Sequence, residues 1–106
     1  MVFELKRYVA APGKFDALTT RFVARTLPIF ERVGINIVNC WTAPDEDGVF
    51  YYMTRFDNEE SRAKAWKAFG DDSEWREVKA ASEVDGPLLD SQSTKVLVQA
   101  PFFTNS

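Results

Sequence analysis

Glu4, Lys6 and Tyr8 alternate along the first apolar stretch of the chain, so a carboxylate, an ammonium and a phenol fall on one strand face. Buried together, such charges must be paired, because an isolated ion in a dry interior is very costly. Two arrangements meet that demand. One is an ion pair, solvated or held at an interface. The other is a polar anchor at a pocket mouth, with Lys6 meeting an anionic substrate and Tyr8 donating a hydrogen bond. Arg55, closing a later strand, has the same two roles open to it. Trp41, Tyr52 and Trp66 are the aromatic counterparts. Each packs in the core or an interface, or walls a cavity for a small hydrophobic or aromatic ligand. A buried indole N–H needs a partner in either case.

Other chemistries are excluded by residue type. The chain has no histidine, which removes Ser-His-Asp and Cys-His nucleophiles and the usual histidine ligation of zinc or haem. Cys40 stands alone, so no intramolecular disulfide forms, and without a neighbouring base it reads as a small strand residue. Asp45, Glu46 and Asp47 lack the spacing of a calcium loop and read as solvated loop acids. No phosphate-binding glycine loop is present, so no cofactor is expected, and no residue is marked as catalytic. The net charge is −3 with both signs interspersed, which argues against nucleic acid as a partner.

The elements that must position these groups are readable from periodicity. A chain of 106 residues is expected to form one domain over 1–106, with a core burying about two-thirds of its unfolded surface. Val2 to Val9 predicts strand one, and Ala11-Pro12-Gly13 a turn. Phe15, Leu18, Phe22, Ile29 and Val33 predict helix one, ended by Gly34. Pro28 inside that run predicts a kink, or two helical pieces meeting there. Ile35 to Thr42 predicts strand two, with Ile35, Ile37, Asn39 and Trp41 on one face. The acidic loop Ala43–Gly48 leads into strand three, Val49 to Phe56. Asp57 is expected to cap the next helix with Glu60 as its capping-box partner. That helix carries Ala63, Trp66 and Phe69, and Gly70 is expected to end it at positive φ. Asp72 or Ser73 starts another, with Trp75, Val78 and Ala81 on its inner side. Asp85-Gly86-Pro87 breaks it. Lys95 to Ala100 predicts strand four, followed by Phe102 and Phe103 on a short polar tail.

The order is β-α-β-β-α-β with a divided second helix: an α+β, ferredoxin-like fold. Its sheet has helices on one face only, yet strand three carries Tyr51 and Met53 on one face and Phe50, Tyr52 and Phe56 on the other. A monomer would expose a large apolar patch, so a homodimer packed sheet to sheet is expected. The facing of strand one is left open: if Phe3 and Leu5 meet the helices, Glu4, Lys6 and Tyr8 belong to the dimer face. No run approaches the ~20 apolar residues of a membrane span and none resembles a signal peptide, so the expected location is the cytoplasm.

Several stretches together resemble the NIPSNAP family. They are ELKRYVAAPGK at the start, LPIFERVG and NCWT in the middle, SRAKAWKAFGDDSEWREVKAASEVDGPLL, and the late APF. The resemblance implies the dimeric α+β barrel shared with antibiotic-biosynthesis monooxygenases, in which hydrophobic ligands sit between each subunit's helices and sheet. The family itself implies no established activity. The chain differs from many relatives in having Val33 where they have histidine and Asn39 where they have glycine, so no role for that imidazole is expected. Two functions follow as expectations: a homodimeric domain binding a small hydrophobic or aromatic ligand, with Lys6, Tyr8, Trp41, Tyr52 and Trp66 at the site, or a cofactor-free monooxygenase-like enzyme acting on an aromatic substrate.

Overall fold

The computed structural model describes residues 1–103; the end of the polar tail lies outside the described residues. The element order is β1 (Val2–Ala10), α1 (Phe15–Arg21), a π-helical turn (Phe22–Thr26), α2 (Leu27–Val33), β2 (Asn36–Trp41), β3 (Val49–Phe56), α3 (Glu59–Asp71), α4 (Ser73–Ser82) and β4 (Leu89–Val98). The four strands form one antiparallel sheet in the order β2-β3-β1-β4, which is the ferredoxin-like arrangement expected from the sequence. Helices cover one face of it.

Register decides which side chains meet the helices. Glu4, Lys6 and Tyr8 lie opposite Thr54, Tyr52 and Phe50 of β3, and Phe50, Tyr52 and Phe56 belong to the buried core with Leu18, Phe22, Phe30 and Ala65 of the helices. The polar triplet of β1 therefore faces the helices. Phe3, Leu5, Arg7 and Val9, opposite Arg55, Met53, Tyr51 and Val49, form the other face.

Local chemistry explains where the elements begin and end. Pro28 has no N–H to give to the carbonyl four residues back. The helix accommodates it one turn upstream: the Leu27 N–H reaches the carbonyl of Phe22, an i→i+5 bond, and α2 starts afresh with the proline in its first turn. Gly34 ends α2 at φ +94°, with the Ile35 N–H on the Phe30 carbonyl at 2.8 Å. That is a Schellman closure, and it needs a residue without a Cβ at the left-handed position.

Four expectations are corrected. The cap of α3 is Asn58, not Asp57: its side-chain oxygen accepts from the Ser61 N–H at 2.8 Å, so Ser61 and not Glu60 occupies the third helical position. Gly70 does not end α3 and has no positive φ. The chain instead turns at Asp72, extended at φ −67°, ψ 124°, whose carboxylate takes the Trp75 N–H and caps α4. An extended cap residue breaks a helix as well as a left-handed glycine does. The alternation expected for β2 fails at Val38, where the register shifts. The bulge sets Ile37 and Cys40 opposite Thr54 and Tyr52, and sends Asn39 and Trp41 to the uncovered face with Met53 and Tyr51. Finally, β4 begins at Leu89 rather than Lys95 and stops at Val98. Its polar half, Ser91 to Thr94, pairs along β1 through the backbone, and an edge strand needs no apolar alternation to do so.

Candidate functional site

The helical layer leaves a cavity of about 310 Å³ against the sheet. Its walls are Leu18 and Phe22 from the first helical run, Phe69 at the end of α3, Trp75 on α4, and Leu89 on β4. Tyr8 and Gln92, paired across β1 and β4, supply polar groups from the sheet, while Arg21, Lys79 and Glu83 do so from the helices. The π turn matters here. It turns both Phe22 and Thr26 inward, each about 4% exposed, and both border the cavity.

Tyr8 sits in an aromatic cluster. Its ring meets those of Phe50 and Tyr52 edge-on, with centroids 5.4 and 5.0 Å away. The Tyr52 hydroxyl donates to that of Tyr8 at 2.7 Å. A pair of phenols holds two protons and this bond uses one, so the Tyr8 hydroxyl keeps a proton to donate. Burial pushes the Tyr8 phenol above its ordinary value, while the hydrogen bond from Tyr52 and the nearby Arg21 charge pull it back. Tyr52, fully buried, is held well above its ordinary value by burial and by Tyr8.

The five aromatic and polar residues singled out from sequence do not gather in one place. Tyr8 borders the cavity, and Tyr52 stands behind it as the hydrogen-bond donor. Lys6 and Trp66 belong to a second cluster built on Glu4, which is 1% exposed. Glu4 Oε1 accepts from Trp66 Nε1 and lies 3.3 Å from Arg62, and Oε2 lies 3.3 Å from Lys6 Nζ. Lys6 also donates to Thr94 Oγ1 at 2.8 Å and stands 4.3 Å from the Trp66 ring centroid. The carboxylate is thus ringed by two cations and an indole, with Oε2 facing the Lys6 charge but accepting no hydrogen bond among the described residues. This is a paired buried ion, and no cavity lining described above includes it. Trp41 is 44% exposed and borders a separate groove at the β2 edge with Val23 and Cys40. Arg55 is exposed on the uncovered face. Glu46, expected as a loop acid, instead holds Arg7 and Tyr51 across that face, at 2.5 and 2.6 Å.

Arg21, Thr26, Lys79, Glu83 and Gln92 are cavity residues that the sequence reading did not place there. For Thr26 a signal existed: Pro28 disturbs the helix one turn earlier, and that turn contains it. Arg21, three residues after Leu18, reads as an ordinary helix-surface cation until α4 packs over it.

The NIPSNAP family model matches residues 3–104. None of the curated proteins matches the chain significantly. Among solved structures, an uncharacterized NIPSNAP domain protein from Burkholderia xenovorans superposes with a TM-score of 0.81 at 21% identity, over 99% of this chain and 100% of that one. A NIPSNAP family protein from Agrobacterium tumefaciens gives 0.80 at 16% identity, over 95% and 94%. A protein from Nitrosomonas europaea named for antibiotic biosynthesis monooxygenases gives 0.65 at 8% identity, over 93% and 98%. These likenesses speak for the fold. With the family model spanning nearly all of the sequence, the chain belongs to the NIPSNAP family.

Proposed function

We propose that this protein binds a small hydrophobic or aromatic molecule in the cavity between its helices and sheet, and that it does so as a cytoplasmic homodimer joined through the uncovered sheet face. The observation that carries the reading is the cavity itself. It is walled by Phe22, Phe69 and Trp75, with Tyr8 and Gln92 as polar groups on its floor. An apolar pocket with a few convergent polar groups is the usual form of a small-molecule site, and about 310 Å³ is at the small end of that range. The ligand is accordingly a compact molecule of one or two rings. The direct test titrates 2-naphthol against tryptophan fluorescence, which Trp75 reports from the cavity wall. A saturable change that disappears in Gln92→Phe, where an exposed position gains a ring able to enter the cavity, supports the site. No saturable change in the wild type sinks it.

The second reading is a cofactor-free monooxygenase-like enzyme acting on an aromatic substrate. The Tyr52–Tyr8 pair favours it, since the Tyr8 hydroxyl keeps a proton to donate and lies beside aromatic walls. Such a reaction would convert an activated ring CH₂ to a carbonyl with dioxygen. One oxygen atom enters the substrate and the other leaves as water with the two hydrogens. An oxygen electrode with oxindole, a two-ring molecule with an activated ring CH₂, as substrate separates the two readings: protein-dependent uptake lost in Tyr8→Phe favours the enzyme, and none leaves binding alone.

A further inference from the structure

Arg21 is placed differently from the other arginines of the helical layer. Its side chain is only 9% exposed. Nη1 is fixed by two acceptors, Ser82 Oγ at 3.1 Å and Glu83 Oε2 at 2.8 Å, and the guanidinium lies over the Trp75 ring at 5.1 Å. A guanidinium carries five N–H donors in a rigid fork. The three on Nε and Nη2 have no acceptor among the described residues and neither nitrogen is fully buried; Arg21 borders this cavity and also a second groove with Asp16, Arg25 and Ser82. A buried cation held by one nitrogen, with the rest of its fork unused, is prepared for an oxyanion. The surroundings agree. Lys79 adds a second positive charge and Glu83 the one carboxylate among the lining residues, so the balance is positive. The Tyr8 hydroxyl and the Gln92 amide are further donors.

We infer that the ligand is a small aromatic carboxylate, its carboxylate held by Nε and Nη2 of Arg21 and by the Tyr8 hydroxyl, its ring between Phe22, Phe69 and Trp75. This rests on the reading of the cavity as a ligand site and adds the charge of what it takes. Glu83 then has a definite role: it orients Arg21 and, by its own charge, holds anion affinity down.

The test compares 2-naphthoate with 2-naphthamide, which share a ring system and differ in charge, by calorimetry on the full chain. The expected result is that naphthoate binds at least tenfold more tightly than naphthamide. Arg21→Gln removes that preference by lowering naphthoate affinity far more than naphthamide affinity, and Glu83→Gln raises naphthoate affinity severalfold. Since Glu83→Gln moves affinity upward, a folding defect does not mimic it. Equal affinity for acid and amide in the wild type overturns the inference and leaves the cavity reading standing. Binding of neither overturns both.

Discussion

The indole Nε1–H of Trp66, on α3, donates to Oε1 of Glu4, on β1, at 2.5 Å across the interface between helix and sheet. This bond explains why a tryptophan expected at the cavity wall is found elsewhere. Its N–H is committed to a carboxylate that would otherwise be buried with one partner fewer. Trp66→Phe keeps most of the ring volume and removes that donor. Leaving a buried acceptor short of a partner costs roughly 1–3 kcal/mol, so the urea midpoint should fall accordingly. Because Trp66 does not border the cavity, 2-naphthol binding should persist in the variant. Loss of binding with stability unchanged would show that the indole serves the ligand after all.

Gly34 and Gly70 should respond oppositely to alanine. Gly34 stands at φ +94°, so Gly34→Ala strains the backbone and should cost on the order of 1 kcal/mol or more. Gly70 is the last residue but one of α3, helical and without positive φ, with nothing within 4 Å of a Cβ placed on it. There, alanine should add roughly 0.5–1 kcal/mol by helix propensity alone. Denaturation midpoints moving in the same direction for both variants would contradict these two conformations.

The sequence made some of this visible and hid the rest for physical reasons. Val49 to Phe56 is legible as a strand because β-branched and aromatic residues fill it and loop residues bound it on both sides. Gly34 is legible because it follows the last inward residue of a periodic run. Gly70 misleads, since a glycine near a helix end suggests a stop, while the break is made two residues later by the Asp72 carboxylate. The bulge at Val38 leaves no mark in composition, yet it moves Trp41 to the other side of the sheet from Ile37. The cavity is the least legible feature. Its groups come from β1, α1, the π turn, α3, α4 and β4, and nothing local to Arg21 says that α4 will cover it.

Asp72 joins α3 to α4 and also pairs with Arg32 at 2.9 Å. The Trp75 backbone N–H is the main influence holding its carboxyl below the ordinary 3.8, with Arg32 contributing to the same end. A carboxyl whose folded-state value is depressed adds stability above its unfolded value and loses it as pH falls through the folded one. Asp72→Ala should therefore lower the urea midpoint at pH 7. The gap from wild type should narrow as pH drops below about 4. A gap that stays constant down to pH 2 would mean that the cap acts without its charge.

Leu5 and Met53 lie directly opposite each other on the uncovered face of the two central strands. Around them are Phe3, Val9, Tyr51, Trp41 and Leu97, with the Arg7–Glu46–Tyr51 network to one side. None of the β1 side chains on this face is fully buried within the chain. An apolar face of this size invites a second copy, and the proposed homodimer would bury roughly 2,000 Å² or more if it is of the obligate kind. A twofold contact repeats each substitution, so one charge at the centre meets its own image across the axis. Leu5→Asp and Met53→Asp should each shift sedimentation from dimer to monomer at micromolar concentration. The helix-side cavity lies on the opposite face of the sheet, so either monomer that stays folded by circular dichroism should still bind 2-naphthol. A wild type that sediments as a monomer at micromolar concentration would remove the dimer. A dimer untouched by both substitutions would move its interface elsewhere on the molecule.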